Sequence, residues 1–290
     1  MSATEADVER RRFSATTLLA APLVLFLAFM LGYPMLSAVR LALTDPLSGA
    51  VPSVENFRAL WGDRLFWQAT AGNIVIPLVS LALELVAGVG LALLLAARMP
   101  ARRLVRAMVV VPFALPEIVF LAITRSIFTP RGYANGVFSA LGVGPIAFLV
   151  PGRATTYATV MLVDAWHTTP VVFLIVLGGL AAIPRQIHEA AELDGAHGWR
   201  HLVFVTLPLL RPALVAAVLV RGLDALRIFA APLVLAGVEG APVLSTYAYH
   251  QWSDYGDDGA AAAASLVLAL LCVLASVPLL TRRAARAELL

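Results

Sequence analysis

The feature that most constrains this chain is a set of unbroken apolar runs. They cover residues 17–39, 72–97, 104–128, 155–182, 213–236 and 260–280. A helix rises about 1.5 Å per residue, so roughly 20 apolar residues cross a hydrocarbon layer about 30 Å thick. A membrane barrel would instead show alternating segments of about ten residues. Composition agrees: 60% of the residues are hydrophobic and 13% charged, against about 25% charged in a soluble domain. Disorder is excluded, because it needs low hydrophobicity and high net charge. The expected fold class is an all-α integral membrane protein with six transmembrane helices. Pro112 and Pro116 interrupt the third run. The first is longer than the ~7–15 apolar residues of a signal peptide. Gly32-Tyr33-Pro34 is also a poor cleavage site, so this run is expected to be an uncleaved span.

Arginine sets the expected orientation. All 21 basic residues are arginine. Thirteen flank the spans on one side: Arg10–Arg12, then Arg98, Arg102, Arg103 and Arg106, then Arg185, Arg200 and Arg211, then Arg282, Arg283 and Arg286. The alternate loops hold five: Arg40, Arg58, Arg64, Arg131 and Arg153. Positive charge stays in the cytoplasm, which predicts both termini there. The domain reading is a cytoplasmic N-terminal segment (1–16), a membrane domain (17–281) with a cytoplasmic loop at 184–211, and a cytoplasmic tail (282–290). A net charge of +3 gives no case for a nucleic-acid partner. No internal repeat is visible. Cys272, in an apolar run, reads as a small packed hydrophobe.

The loop at 184–211 carries the most specific pattern. Glu189-Ala190-Ala191 suits a helix, and Asp194-Gly195 supplies a turn in which glycine is free to take positive φ. A second short helix follows, and Pro208 and Pro212 are expected to break or kink the start of the fifth span. After Glu189-Ala190-Ala191 come three residues, Gly195, nine residues, Val205, one residue, and Leu207-Pro208. This resembles the cytoplasmic signature of permease subunits of ATP-binding-cassette (ABC) importers, with valine at the usual isoleucine position. Segments 166–170 and 221–229 are similar to those of the carbohydrate-importing branch, the maltose, glycerol-phosphate and trehalose type. Among these the trehalose-type permeases of actinobacteria are the most alike.

The resemblance implies a type I ABC importer permease fold in a bacterial inner membrane. It also implies that Glu189, Ala190, Ala191, Asp194, Gly195, Leu207 and Pro208 form the coupling element docking on an ATP-hydrolysing subunit. The implied partners are a second permease, two ATP-binding cassette subunits, an external solute-binding protein and a sugar. The chain has no lysine and so no phosphate-binding loop of the Gly-x4-Gly-Lys type. No cofactor is expected in this chain; ATP and Mg2+ belong to the partner subunit.

Charge inside a span marks function by default. Arg221, Asp224 and Arg227 recur at i, i+3 and i+6, which on a continuous helix puts them on one face. Glu84, Glu117 and Asp164 are their candidate partners. A polar stripe facing a path and a structural ion-pair cluster are both consistent with this spacing. A sugar needs planar donors and acceptors with an aromatic face; Glu117, Trp166, His167, Thr168, Asp224 and Arg227 have that chemistry. Trp166 also suits interface anchoring, and Tyr247, Tyr249, His250 and Trp252 an aromatic belt. The zinc pattern His-Glu-x-x-His fails at His188, because Glu192 takes the second histidine position. His188, His197 and His201 are read as surface histidines.

Three functions compete. The first is an importer permease for a sugar, or for glycerol phosphate or a polyol. The second, an ion-driven transporter, needs inverted repeats. The third, a membrane enzyme, needs a nucleophile–base or metal set. The pattern in 184–211 favours the first.

Overall fold

The computed structural model describes residues 3–96 and 101–287; Arg98 lies outside the described residues. Helix α1 (Ala3–Ala42) leads to the short α2 (Glu55–Gly62) and the long α3 (Arg64–Ala96). Then come α4 (Arg102–Ala114), α5 (Glu117–Ile127), α6 (Tyr133–Ala140) and α7 (Ala154–Ala182). The region of the signature forms α8 (Arg185–Leu193), α9 (Trp199–His201) and a π-helical turn, Leu202–Thr206, that runs into α10 (Leu207–Ala225). The chain closes with α11 (Ala230–Ala236), α12 (Leu244–Ser253) and α13 (Asp258–Ala287). Among the described residues five helices are long and apolar enough to span a membrane, and six spans result if α4 and α5 count as one broken span.

Two spans depart from the sequence reading. The third is no single rod: α4 and α5 meet at an angle of 100°. Leu115 is extended there, at ψ 145, because the ring of a following proline disfavours helix at the residue before it. Pro112 stays inside α4 without ending it. The fifth span runs Trp199–Ala225 rather than 213–236, and α11 is a separate piece. Pro208 sits in the first turn of α10, where its missing N–H costs little. The wide π turn just before it relieves the ring's clash with the carbonyl one turn back. Neither Pro208 nor Pro212 breaks the span.

The core is built around α7, which packs most extensively on α3. Ser80 Oγ donates to the Met161 carbonyl at 3.2 Å, while Gly88 lies against Val172 and Phe173. Position along α3 therefore rises with position along α7, and the two run parallel. Helix α10 runs antiparallel to both: Leu210 joins Leu95 and Val176 at one end, and Asn73 meets Leu226 at the other. At Gly88 and Gly179 the neighbours lie where a Cβ would have to sit. Small residues bring membrane helices this close, where dispersion and hydrogen bonds take over from the hydrophobic effect.

These directions sort the loops by end. Leu95, Val105, Val176 and Leu210 share one cluster, so the starts of α4, α8 and α10 lie together. Ala42, Phe66, Tyr247 and Ala263 share another at the opposite end, where α1 finishes and α13 begins. There Asn56 Nδ2 donates to the Leu41, Ala42 and Thr44 carbonyls and closes the end of α1. Tyr247, expected in an exposed belt, is 1% exposed. Its hydroxyl donates to Asp63 Oδ2 at 2.6 Å; burial first and the Asp63 carboxylate second push its phenol pKa up, so the proton stays on Tyr247.

Candidate functional site

Two places gather the residues singled out from sequence. The first is the α8 segment. Its helix ends in a complete Schellman motif: Ala196 N–H donates to the Ala191 carbonyl at 2.9 Å and Gly195 N–H to the Glu192 carbonyl at 3.1 Å. Gly195 has φ +81 with open space around its Cα, so conformation and not crowding calls for glycine. Asp194 is the C-cap, its N–H bonded to the Ala190 carbonyl. Glu189 and Ala190 are exposed and Ala191 half-buried. Leu193 is 90% exposed, and no residue of α8 is buried. Leu207 and Pro208, half-buried, open α10.

A histidine bridge braces this segment. His188 Nδ1 lies 3.1 Å from His201 Nε2, and His201 Nδ1 lies 3.3 Å from the Thr206 hydroxyl. The bridge ties α8 to the π turn. His188 and His201, read from sequence as surface histidines, are half-buried, and the turn between α8 and α9 brings them together.

The second place is a cleft of about 600 Å³ between α4, α5, α7 and α10 and the start of α11. Glu117, His167, Thr168, Asp224 and Arg227 all line it, and so do Asp164 and Arg221. Trp166 does not. It is 49% exposed, packs edge-on against Phe120 with ring centroids 5.2 Å apart, and lines an apolar groove on α3, α4 and α7. One residue along a helix turns the side chain by about 100°, which carries Trp166 off the face that His167 and Thr168 share.

The charges of the cleft are ordered around Arg221, itself buried. Its Nε and Nη2 reach the two oxygens of the fully buried Glu84 at 2.7 and 2.8 Å, a bidentate pair. Its Nη1 bonds Asp224. Arg227 Nη2 reaches the other oxygen of Asp224 at 3.5 Å, and both of those side chains are exposed. Of the three candidate partners, Glu84 takes the arginine. The even stripe expected at i, i+3 and i+6 stops short, because α10 ends at Ala225 and Arg227 lies beyond it.

That end is held from outside. Asn73 Nδ2 donates to the Leu226 carbonyl at 2.9 Å and its Oδ1 accepts from Leu244 N–H at 3.2 Å. The Ser245 hydroxyl donates to the Ile228 carbonyl. Non-helical backbone at membrane depth is tolerated only with such partners or beside a wet cavity. Neither Asn73 nor Ser245 stood out in the sequence, where a polar residue near an apolar run carries no sign of what it will bond.

Two polar atoms of cleft-lining residues are closed off from solvent and have no hydrogen-bond partner. Asp164 Oδ2 and His167 Nε2 are buried without a hydrogen bond. Thr168 is satisfied locally, its hydroxyl donating to the Asp164 carbonyl at 2.7 Å. Phe113 and Phe120 flank the His167 ring, with centroids 6.0 and 4.7 Å away.

The sequence profile of the family described as binding-protein-dependent transport system inner membrane component matches residues 84–283. The chain is 34% identical over 225 residues to the trehalose/maltose transport system permease protein MalF of Thermococcus litoralis, covering 75% of each protein. It is 33% identical over 226 residues to the trehalose transport system permease protein SugA of Mycobacterium tuberculosis, covering 76% of this chain and 72% of that one. Among solved structures, a chain of a bacterial ABC transporter involved in import of the acidic polysaccharide alginate superposes with a TM-score of 0.82 and 22% identity, over 97% of this chain and 99% of that one. The last likeness shows a shared fold.

Proposed function

Because this chain belongs to the family of binding-protein-dependent transport system inner membrane components, we propose that it is one of two permease subunits of an ATP-driven sugar importer. The cargo class is read from relatives that carry trehalose or maltose in their names. The observation that carries the coupling half of this reading is the exposed helix α8, closed by the Gly195 turn and braced onto α10 through His188 and His201. Docking on an ATP-hydrolysing partner would cover Leu193 and Ile187, both exposed. Ala190 and Ala191 allow close approach, and Glu189 offers a carboxylate to a partner arginine.

In this reading the permease binds no nucleotide. ATP and Mg2+ sit on two partner subunits, whose closure moves α8 and the spans together. The second permease completes the path, and an external binding protein delivers the sugar. The chain lies in the bacterial inner membrane with the α8 end and both termini cytoplasmic, in keeping with the arginine asymmetry. The units 1–16, 17–281 and 282–290 are then an N-terminal segment, the permease domain with its coupling loop, and a tail. The work is vectorial, with no covalent chemistry in this chain. Glu117, His167, Thr168, Asp224 and Arg227 face the path, with Trp166 outside the cleft.

The test is coupling. Gly195→Asp forces a side chain into left-handed backbone, and Glu189→Lys sets like charge against the expected arginine. Both variants are expected to insert, since span hydrophobicity is untouched, but to lose ATPase co-purification or sugar-stimulated hydrolysis together with transport. Glu189→Gln should be milder. Wild-type transport and stimulated hydrolysis in both severe variants would remove α8 as the coupling element.

A further inference from the structure

We propose that His188 and His201 are positioning residues of the coupling element and together make a proton-operated joint. While the pair carries at most one positive charge, it ties α8 to the base of α10. When both rings are charged the tie opens, and coupling of ATP hydrolysis to transport falls as the cytoplasm turns acid. The inference rests on the importer reading above, in which α8 docks on the ATP-hydrolysing partner.

The tie joins three successive pieces of chain. His188 sits on α8, His201 ends α9 and Thr206 ends the π turn. Both rings are half-buried, and their centroids lie 4.9 Å apart. The nitrogens that face each other, His188 Nδ1 and His201 Nε2, are 3.1 Å apart. On the other side of His201, Nδ1 is 3.3 Å from the hydroxyl of Thr206, a residue only 4% exposed. Residues five apart on an α-helix are turned about 140° from each other. The i to i+5 closure of a π turn brings them back toward one side, so the turn that relieves Pro208 also lets His201 reach Thr206. No residue of α8 is buried, and among the described residues the His188 contact is the one side-chain hydrogen bond that α8 makes. Without it no side-chain hydrogen bond fixes the angle between α8 and α10.

This geometry limits the charge that the closed joint can hold. A neutral imidazole has one N–H and one lone pair, whereas a charged one has two N–H groups and no lone pair. One facing nitrogen must donate and the other accept, so at least one ring is neutral while the tie is closed. The Thr206 hydroxyl donates or accepts and suits either tautomer of His201. Charging both rings sets two donors and two like charges face to face at 3.1 Å, and the tie is lost. The opened pair takes up one proton more than the closed pair, so acid favours opening by up to about tenfold per pH unit. Imidazole is the side chain whose charge ordinarily changes between about pH 5 and 8. Among the described residues neither ring forms an ion pair with a carboxylate. Glu189 and Glu192 on α8 and Asp194 in the turn are matched by Arg185 on α8, Arg200 on α9 and Arg211 on α10, all exposed and screened by water and salt. Arg102, Arg103 and Arg106 open α4 at the same end, so nothing there favours a doubly charged pair in the closed tie. His197 is exposed and takes no part in it.

The experiment uses the assembled importer in proteoliposomes. Binding protein and trehalose are sealed inside at constant neutral pH, and ATP is added to the bath. Only importers whose α8 end faces the bath then hydrolyse ATP, and the bath pH acts on that end alone. The readout is the ratio of trehalose-stimulated to unstimulated hydrolysis, with the bath taken from about pH 8 to about pH 5.5. The wild-type ratio should fall at least about threefold more across that range than the ratio of His188→Asn. Asparagine has no titratable ring but keeps a donor and an acceptor, so it bonds His201 in either charge state and should hold the ratio level. His188→Ala offers neither and should give, at every pH, a ratio as low as that of the wild type in acid. Rescue of the alanine loss by asparagine identifies the tie, and the levelled profile identifies the proton. His197 is present in all three proteins, so its own titration cancels.

Parallel profiles for the wild type and His188→Asn overturn the proposal, as does a wild-type ratio in His188→Ala at the alkaline end. Amide hydrogen exchange across residues 185–193 of the wild-type complex decides the case in which the asparagine variant fails to couple. Protection, corrected for the intrinsic rate at each pH, should be lost toward acid as the tie opens; unchanged protection overturns the proposal. If trehalose stimulates hydrolysis while these effects are absent, the joint fails and the importer reading stands. If neither trehalose nor maltose stimulates the wild type at any pH, the importer reading falls and the inference with it.

Discussion

At the scale of single residues, the strongest commitment in the molecule is Arg221 to Glu84. Two charges withdrawn from water attract strongly, but that attraction does little more than offset the cost of desolvating them. The consequence is asymmetric. Glu84→Leu leaves a guanidinium buried with only Asp224 for company and should destabilise the subunit by about 3–5 kcal/mol. The double variant Glu84→Leu with Arg221→Leu should recover most of that loss. Thermal unfolding of the purified complex, read as a double-mutant cycle, checks both; additive losses would mean that the pair is not coupled. The Arg221–Asp224 contact was legible in the sequence as an i, i+3 spacing. Its larger partner was not, because Glu84 lies 137 residues away, and helix packing rather than local spacing chose it over Glu117 and Asp164. The turn at Gly195 was legible, since Asp-Gly after a helical stretch asks for positive φ. The orphaned state of Asp164 was not: an acidic residue in a span reads first as somebody's ion-pair partner.

At the scale of elements, the tightest joint is the crossing of α3 and α7. A Cβ on Gly88 would lie 2.7 Å from Val172 Cγ1 and 3.0 Å from the Phe173 backbone nitrogen. Backbone cannot swing aside as a side-chain tip does, so the helices must separate. Gly88→Ala should therefore cost about 1–3 kcal/mol, whereas Gly90→Ala, with nothing near its Cα, should be neutral or slightly stabilising through helix propensity. The difference in unfolding temperature between the two variants tests this, and equal behaviour would mean that the crossing is looser than described. The long apolar rods α1, α3, α7 and α13 follow from composition and length, and Pro116 announces the bend between α4 and α5. The break after α10 was hidden. No proline or glycine marks residues 226–229, and the groups that hold the break, Asn73 and Ser245, come from α3 and α12. The short helices α2, α6 and α12 lie in stretches too polar and too brief for periodicity to separate from loop.

At the scale of the whole molecule, packing puts α2, α12 and the end of α1 opposite α8 and the start of α10. With Cys272 replaced, single cysteines at Tyr133 and Tyr255, 80% and 68% exposed, should react with an impermeant maleimide in sealed cells. A cysteine at Ala196 should react only after the membrane is opened. Labelling of Ala196 from outside would invert the orientation and with it the proposed mechanism. The alternation of loops between the two ends was readable from the number of apolar runs, and arginine placement sets the expectation of which end faces the cytoplasm. The parallel course of α3 and α7 was not readable, since hydrophobic runs carry no record of which neighbour they face. Helix α10, like α7, reaches from the α8 end to the cleft. It holds 19 residues, a rod of roughly 28 Å at about 1.5 Å per residue. Asp224 stands at its far end and the π turn at its near end, so the helix is a lever arm with its load at the tip. A tilt of about 10° at the π turn would carry that carboxylate roughly 5 Å, further than any hydrogen bond in the cleft can stretch and survive.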